Sequence, residues 1–362
     1  NKFKKIGLTA LATSLVASSA YAADVSVSGS AGMTFKTQSG NGSAAGDHGK
    51  GLGTDNSLSF SASGEMDNGW TVSASTAFTD KGAISSNAVT ITMGSMGSIS
   101  SGYSMAGNAG NYDGLGGAYE EVDDGGTTSL STNQIGSTVD NAGIFYTSPA
   151  IDAGGASVTI HLGYTPKASN ANLSGGESSG VQTLGSATNA GITISHESGL
   201  KLGVYGNTID RDGAAANVSE DGFEGTWYAT YSMGPIALGY QESYVNRGIG
   251  TGAEAVGAKK TVAAGQGQFE ADQYSITMNI NDNLSVSYAS ADDEYDARSG
   301  FAAASTSGDP VADVTMSMKS IQAAYSMGSM SIKAYRQETD NVGYDSSGGS
   351  NTTNEIALGL SF

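Results

Sequence analysis

Residues 104–126 are the part of this sequence best suited to interact with charged ligands. The segment is rich in glycine and carries five carboxylates, those of Asp113, Glu120, Glu121, Asp123 and Asp124. Clustered carboxylates bind hard cations such as Ca²⁺ and raise the local concentration of cations. A glycine-rich phosphate loop is a poor alternative, because it needs a helix N-terminus and a nearby Lys or Arg. A solvated acidic surface loop remains the other interpretation.

The remaining reactive residue types form no catalytic pattern. His48, His161 and His196 lie far apart in the sequence, and no Ser–His–Asp order accompanies them. The absence of Cys excludes disulfides, thiolate metal sites and catalytic thiols. A second acidic run at residues 292–296 lacks the spacing of an EF-hand and is interpreted as solvated. We therefore predict no enzyme, no resident metal and no cofactor, with calcium at the acidic loops left open.

The composition points to an ordered chain with few charges. Of 362 residues, 53 are Gly and only 14% are charged, where about 25% is usual. The net charge of −19 argues against a nucleic-acid partner, because nucleic-acid-binding proteins carry a basic face. Acidic disordered chains are poor in aromatics, whereas this one has 17 Tyr, 9 Phe and 2 Trp.

The N-terminal segment has the order of a secretory signal peptide. Lys2, Lys4 and Lys5 give a basic start, residues 6–17 are apolar, and residues 20–22 read Ala-Tyr-Ala. A membrane-spanning helix needs about 20 apolar residues, and this run is shorter. We assign residues 1–22 to a cleaved signal and residues 23–362 to a single exported domain.

The exported domain shows a two-residue hydrophobic period from one end to the other. Val25, Val27, Met33 and Phe35 alternate with Ser and Thr, and the same pattern recurs along the chain. It closes on Ile356, Leu358, Leu360 and Phe362. This period is typical of strands with one apolar face, and the opposite face is rich in Ser, Thr, Gly and Asn.

Short turns alternate with long polar loops between these strands. Seven short turns lie at residues 67–69, 95–97, 152–155, 197–199, 233–235, 281–283 and 327–329. Eight long loops lie at residues 37–54, 80–87, 104–138, 166–188, 207–221, 241–271, 289–313 and 337–353. Fifteen connections imply sixteen strands, and long loops on one side only are typical of an outer-membrane barrel. The predicted fold is all-β: a 16-stranded antiparallel transmembrane β-barrel with short periplasmic turns and long extracellular loops.

A barrel satisfies the physical requirement that no backbone group is left unpaired in hydrocarbon. Aromatic residues should then lie near the head groups at both strand ends. The predicted girdle comprises Phe35, Trp70, Phe78, Tyr164, Tyr231, Tyr325 and Phe362. In residues 314–327 the apolar positions change parity, from Val314, Met316 and Met318 to Ile321 and Tyr325, which suggests a bulge or a misread strand boundary.

A sixteen-stranded barrel is wide enough for an aqueous channel, so something should narrow it. The third long loop, residues 104–138, is the candidate. Leu115, Tyr119 and Val122 are expected to pack on the inner wall, which would leave the five carboxylates facing water.

At these residues the chain resembles the general porins of the Gram-negative outer membrane, most closely the alphaproteobacterial trimeric porins. The acidic third loop, the run DNAGIFYTSP at residues 140–149 and the terminal Phe362 strand carry the resemblance. It implies a homotrimer, a third loop folded inward as an acidic eyelet, and a terminal strand (Ile356, Leu358, Leu360, Phe362) read by the barrel-assembly machinery.

The same resemblance implies a basic cluster on the wall opposite the third loop. Parity places Lys36, Lys201, Lys319 and Lys333 on the polar strand faces. We expect Lys36, Lys81, Lys319 and Lys333 to contribute to the cluster. The family's cluster is rich in Arg, whereas this chain has four Arg, three of them in predicted loops. The excess of acid should then favour cations.

The leading hypothesis is an outer-membrane porin: a water-filled channel for passive diffusion of small hydrophilic solutes and ions, with a preference for cations. Its other partners would be outer-membrane lipid and lipopolysaccharide. One alternative is a similar barrel with an adhesin or enzymatic role. A soluble secreted β protein is the other.

Overall fold

The computed structural model describes residues 24–42, 49–79, 82–103, 108–112, 115–123, 130, 132, 135–136, 143–166, 184–211, 221–246, 268–296, 313–344 and 349–362. The predicted signal peptide (1–22) lies outside these residues, as do Lys81, Asp113 and Asp124. No helix among the described residues is long and apolar enough to cross a membrane.

The described chain consists of β-strands joined by turns, with two one-turn 3₁₀ helices at Gly94–Met96 and Ala109–Asn111. The first nine strand segments are β1 (Asp24–Gly40), β2 (Gly49–Glu65), β3 (Thr71–Thr79), β4 (Ala83–Thr92), β5 (Ser98–Tyr103), β6 (Ile144–Thr147), β7 (Ile151–Asp152), β8 (Ala156–Thr165) and β9 (Leu184–His196). The others are β10 (Leu200–Arg211), β11 (Gly222–Met233), β12 (Ile236–Asn246), β13 (Gln268–Asn279), β14 (Leu284–Asp296), β15 (Val314–Met327), β16 (Met330–Asp340) and β17 (Ser350–Ser361).

These segments form one closed antiparallel sheet. Each pairs with its sequence neighbours, and β1 pairs with both β2 and β17, which closes the barrel. The short segments β6 and β7 both pair with β8 and flank residues 148–150, so they share one position in the barrel. Pro149 lies in this interruption. It has no backbone N–H to donate to the neighbouring strand, which accounts for the break in the pairing. The described chain therefore confirms the predicted antiparallel barrel of sixteen strands.

The last residue completes the closure. The Phe362 backbone N–H donates to the Gly29 carbonyl oxygen at 3.0 Å, and the Gly29 N–H donates to the Phe362 carbonyl oxygen at 2.8 Å. The Phe362 ring lies over Gly29, where a Cβ would come within 2.6 Å of it. The alternating apolar residues of the terminal strand thus join the two ends of the sheet in register.

Strand alternation divides the side chains between an inner and an outer face. The inner face is the one that contacts residues of the third long loop, and the outer face carries exposed apolar side chains such as Val27, Phe60, Ile276 and Ile332. The predicted girdle residues within strands lie on the outer face. Phe35, Phe78 and Tyr164 lie toward the long-loop end, whereas Trp70, Tyr231, Tyr325 and Phe362 lie beside short turns.

Several predicted loops are shorter than expected, because the strands extend into them. The connection between β3 and β4 spans residues 80–82 alone, so the prediction of a long loop at residues 80–87 was wrong. Strands β12 and β13 likewise extend to Asn246 and back from Gln268. Around Glu242 and Asp272 the inward neighbours Gln241, Ser243 and Gln273 are polar as well, so no hydrophobic period marks the strands there.

The predicted bulge in residues 314–327 is absent. β15 pairs with β14 and β16 without a register shift. Met316 and Met318 are fully buried on the inner face, whereas Ile321 and Tyr325 are exposed on the outer face. The change of parity has a different cause. At the long-loop end of β15 the apolar residues Val314, Met316 and Met318 pack inward, in one core with residues of the third long loop. Register shifts occur instead between β3 and β4 and between β9 and β10.

Candidate functional site

The described residues of the third long loop (108–112, 115–123, 130, 132, 135 and 136) lie inside the barrel, along its inner face from β8 to β17. At one end, Asn108 Nδ2 donates to Asn189 Oδ1 of β9 at 3.0 Å. At the other end, the Tyr119 hydroxyl donates to Glu355 Oε1 of β17 at 2.5 Å. The described part of the loop then returns, and the Gly136 N–H donates to Glu224 Oε2 of β11 at 2.8 Å. The described residues of the loop therefore contact one side of the inner wall, from β8 to β17.

Apolar side chains of the loop pack against the wall, as predicted for Leu115 and Val122, which are 3% and 1% exposed. Tyr112 stacks on Tyr205 with 4.9 Å between ring centroids and meets His161 edge-on at 5.8 Å. His161 is buried on the inner face, where it lies against Tyr112 of the loop. Burial raises the pKa of the Tyr112 phenol.

These loop side chains share a hydrophobic core with the inner face of the barrel. The core includes Ala109, Tyr112, Val122, Leu130, Ile135, Tyr205, Val245, Phe269, Ala289, Ala291, Tyr295, Val314, Met316, Met318 and Tyr344. Most of the strand residues come from β12–β15 near the long-loop end. The inner face is therefore not uniformly polar, and its apolar part fixes the loop by excluding water.

Four inward-facing glutamines hydrogen-bond to the loop. Gln241 Nε2 donates to the Tyr112 carbonyl oxygen at 3.3 Å, and Gln337 Nε2 donates to that of Val122 at 3.2 Å. Gln322 accepts the Tyr119 and Glu120 N–H groups at 2.8 and 3.1 Å and donates to the Glu120 carbonyl oxygen at 2.8 Å. Gln273 binds the Asp123 side chain. Sequence reasoning missed these residues, although each lies on the polar parity of its strand.

Wall carboxylates bind other backbone donors of the loop. Asp293 Oδ2 accepts the Thr132 N–H and hydroxyl, both at 3.1 Å, and the Tyr344 hydroxyl at 2.8 Å. Glu224 Oε2 accepts Asn207 Nδ2 at 3.0 Å in addition to the Gly136 N–H. Charge-assisted bonds of this kind are roughly twice as strong as neutral ones. Glu224 and Asp293 therefore anchor the returning half of the loop.

The tip of the loop is held by a cluster around Glu355. This carboxylate accepts hydrogen bonds from the hydroxyls of Tyr119 and Tyr335, at 2.5 and 3.2 Å, and pairs with Lys36 Nζ at 3.2 Å. Lys333 Nζ lies 5.2 Å from the centre of the Tyr119 ring. We call Tyr119, Glu355, Lys36, Tyr335 and Lys333 the tip cluster.

The Tyr119 hydroxyl keeps its proton, and so remains a hydrogen-bond donor, over a wider pH range than an ordinary phenol. Burial raises the pKa of its phenol, and the hydrogen bond to Glu355 raises it further. A raised pKa means that this contact contributes fully at neutral pH and is lost only as the pH rises through the raised value.

The predicted acidic eyelet residues do not share one environment. Glu120 and Glu121 are partly exposed inside the barrel. Asp123 was expected to face water, and this was wrong: it is 1% exposed and its Oδ2 accepts Gln273 Nε2 at 2.7 Å. The fold of the loop directs Asp123 toward the wall, where an amide satisfies it.

The expected basic wall is also rearranged. Lys36, Lys201 and Lys333 lie on the inner face, but Lys36 and Lys333 meet the loop tip rather than oppose the loop. Lys319 lies on the outer face, so its assignment to the pore wall was wrong. It stands between Met318 and Ser320, which are buried inward, and alternation directs it the other way.

Hydroxyl groups dominate the inner face across from the loop, on β1–β5. We call this surface the hydroxyl-rich wall; its members include Ser26, Ser28, Ser30, Ser57, Ser59, Ser61, Ser73, Ser75, Thr90, Ser98 and Ser100. Some pair across strands, as Ser26 Oγ with Ser61 Oγ at 2.6 Å and Ser30 Oγ with Ser57 Oγ at 2.7 Å. Among the described residues no group of three His, Cys, Asp or Glu side chains is placed to hold a metal ion.

Solved porin structures match almost the whole of this chain. A porin refined at 1.8 Å resolution covers 94% of this chain over its full length, with a TM-score of 0.62 and 18% identity. OmpF of Salmonella typhi, in a complex with daunomycin, covers 93% of this chain and matches over 97% of its own, with a TM-score of 0.65 and 11% identity. This chain has the porin fold.

The porin fold is shared with proteins that differ widely from it in sequence. The anion-selective porin of Comamonas acidovorans is 13% identical, with a TM-score of 0.60, and matches over 94% of this chain and 100% of its own. No protein-family model and no curated protein matches the sequence. The likeness to porins therefore concerns architecture, and the function has to be argued from this chain's own site.

Proposed function

We propose that this protein is an outer-membrane porin that forms a water-filled channel for passive diffusion of small hydrophilic solutes and ions. The observation that carries the proposal is the third long loop, folded inside a closed barrel and fixed to one half of the inner wall. A loop in that position narrows the interior without filling it, and it leaves the hydroxyl-rich wall to face water. No enzymatic role is part of the proposal.

We infer a preference for cations. Glu120 and Glu121 are partly exposed inside the barrel, and Lys36 is neutralised by its pairing with Glu355. The chain as a whole carries a net charge of −19. In a constriction with low-dielectric walls, an excess of carboxylates over basic groups concentrates cations and excludes anions. Ca²⁺ at the acidic loop is a secondary part of this proposal.

Neutralising Glu120 and Glu121 together, as Gln, is expected to lower the cation-to-anion permeability ratio. Each partly exposed carboxylate near the ion path contributes about 1 kcal/mol or less to cation attraction, so we expect a fall of about three- to tenfold. The reversal potential across a salt gradient in planar bilayers measures the ratio.

Asp210→Asn supplies the matched control for this measurement, because Asp210 is exposed on the outer face, where its carboxylate accepts a hydrogen bond from Ser186. An unchanged ratio in the Glu120/Glu121 variant would contradict cation selection at this loop. Failure of the unmodified protein to form any stable channel would contradict the porin proposal itself.

The proposal includes the outer membrane as location, a homotrimer as the assembled form, and contacts with outer-membrane lipid and lipopolysaccharide. It also retains the cleaved signal at residues 1–22 and the resemblance to alphaproteobacterial porins, which is carried by the acidic third loop, residues 140–149 and the terminal Phe362 strand. The exposed aromatic residues at both strand ends support a membrane setting, because such rings favour the head-group level.

Removal of Phe362 is expected to reduce the amount of folded protein in the outer membrane of cells by about tenfold or more. Phe362 supplies both backbone hydrogen bonds to Gly29, and the terminal strand is the expected signal for the assembly machinery. Heat-modifiable mobility on gels measures the folded fraction. Phe362→Tyr, which keeps the ring and the backbone, is the control, and equal yields of the deletion and the full-length protein would contradict the assignment.

A further inference from the structure

A hollow on the outer face of β10–β13 has no role in the channel. Gly206 of β10 and Gly225 of β11 face each other across the strands on the outer side, and without side chains they leave a depression. The Phe223 ring lies beside it, 3.2 Å from where a Gly225 Cβ would stand. The hollow has a volume of about 550 Å³ and continues across β12 to β13. We call it the outer groove.

Aromatic rings flank the outer groove on two sides. Toward the long loops, Phe223 packs against Tyr244 with 6.0 Å between centroids. Toward the short turns, Trp227 packs edge-on against Tyr240 at 5.2 Å. Rings of this kind attract a cation placed over their faces, and Trp attracts it most strongly.

Three carboxylates lie between these rings. Glu242 and Asp272 are direct cross-strand partners, and Glu270 lies one outward position further along β13. Glu242 accepts Trp227 Nε1 at 2.7 Å and also accepts the Tyr240 hydroxyl, whose oxygen lies 2.7 Å from Asp272 Oδ1. A hydroxyl has one hydrogen to donate, so it cannot satisfy both carboxylates at once.

The charge of the outer groove is not balanced by its lining. Within the described part of the chain, none of the residues that line it is Lys or Arg. Its carboxylates are exposed, so the groove is complementary to a cation that can donate several hydrogen bonds. A divalent metal is a poorer match, because no group of three metal-ligating side chains is found among the described residues.

The surface next to the groove indicates what kind of molecule carries such a cation. Directly toward the short turns, the outer face of β12 and β13 carries Leu238, Ile276 and Met278, all exposed and apolar. The groove thus lies at the edge of an apolar band, on the side of the long loops. An occupant that carries hydrocarbon chains below its charged group fits both surfaces at once.

We propose that the outer groove binds a membrane lipid whose head group carries a primary ammonium. The ammonium lies between the carboxylates of Glu242 and Asp272, with Glu270 further along β13 and the rings of Trp227 and Tyr244 on either side, and the acyl chains follow the apolar band. This inference goes beyond the proposed channel, because it concerns the outer face and is independent of conduction.

Native mass spectrometry of the detergent-folded barrel tests the proposal with three lipids of identical acyl chains. Phosphatidylethanolamine is expected to be retained about tenfold more strongly than anionic phosphatidylglycerol. Phosphatidylcholine, whose quaternary ammonium cannot donate hydrogen bonds, should lie between them. The double variant E242Q/D272N is expected to lose the preference for phosphatidylethanolamine.

Glu338→Gln is the matched control and should keep the preference. Glu338 is an exposed outer-face carboxylate on β16 that pairs with Arg336. Gel mobility before and after heating verifies that each variant is folded, and Glu270→Gln is a milder variant expected to weaken the preference if the double variant does not fold. Equal retention of the three lipids would overturn the proposal, as would phosphatidylglycerol binding that requires Ca²⁺ and exceeds that of phosphatidylethanolamine. Neither result would bear on the channel, which is measured by current.

Discussion

Replacing Ile276 by Arg is expected to destabilise the folded barrel in lipid vesicles by about 2–4 kcal/mol. Ile276 is exposed on the outer face of β13, between Leu238 and Tyr288 on the neighbouring strands. If this face contacts acyl chains, the substitution places a guanidinium in hydrocarbon, where its hydration is lost. Reversible denaturant unfolding monitored by tryptophan fluorescence measures the difference.

The neighbouring residue provides the control. Thr277 lies on the inner face and lines a cavity of about 320 Å³ below the third long loop, so Thr277→Arg places the same charge in a space open to water. We expect it to change the free energy of unfolding by less than about 1 kcal/mol. Similar effects at both positions would contradict the assignment of the outer face to lipid, and with it the membrane location.

Releasing the loop tip is expected to make the channel current noisy and larger. In the double variant Glu355→Gln/Gln322→Leu, the tip loses the charged acceptor of Tyr119 and the amide that binds three backbone groups of Tyr119 and Glu120. A loss of about 2 kcal/mol raises the detached population about 30-fold. Single-channel recording would register this as frequent transitions to a higher conductance.

Glu338→Gln again serves as the control, because it removes a carboxylate from the outer face of β16 without touching the loop. Its recordings should match those of the unmodified protein. Steady currents of normal amplitude in the double variant would show that the tip cluster does not hold the loop in the constricting position. Thermal unfolding of the barrel should change little, since the strand pairings are unaffected.

The closed sheet follows from local features of the sequence. Alternation such as that of Ile356, Leu358 and Leu360 specifies a strand and its apolar face, because side chains on a pleated strand point alternately to opposite sides. Turn residues with positive φ, as at Gly199, Gly234 and Gly328, fix the tight connections. Together these features were enough to predict the strand number and the antiparallel order.

The ends of the strands, and the face of the sheet on which individual residues lie, were harder to predict from the sequence. The parity of Lys319 could not be read correctly, because in β15 the apolar residues lie inward at Met316 and Met318 and outward at Ile321. The hydrophobic period shows which face of a strand is apolar. In β15 the apolar face near the long loops is the inner one. β12 and β13 continue through Glu242 and Asp272, where the inward neighbours Gln241, Ser243 and Gln273 are polar too and no hydrophobic period marks the strand.

The sequence by itself determined a barrel of paired strands with an apolar outer face, and it led to the expectation that the third long loop enters the barrel. Only the tertiary structure decided where that loop lies, because its contacts come from residues more than a hundred positions away, such as Gln273, Gln322 and Glu355. Those contacts bury Asp123, leave Glu120 and Glu121 partly exposed, and place Lys36 and Lys333 at the loop tip. Local pattern cannot specify them, since burial of a polar group depends on which distant side chain completes its hydrogen bonds.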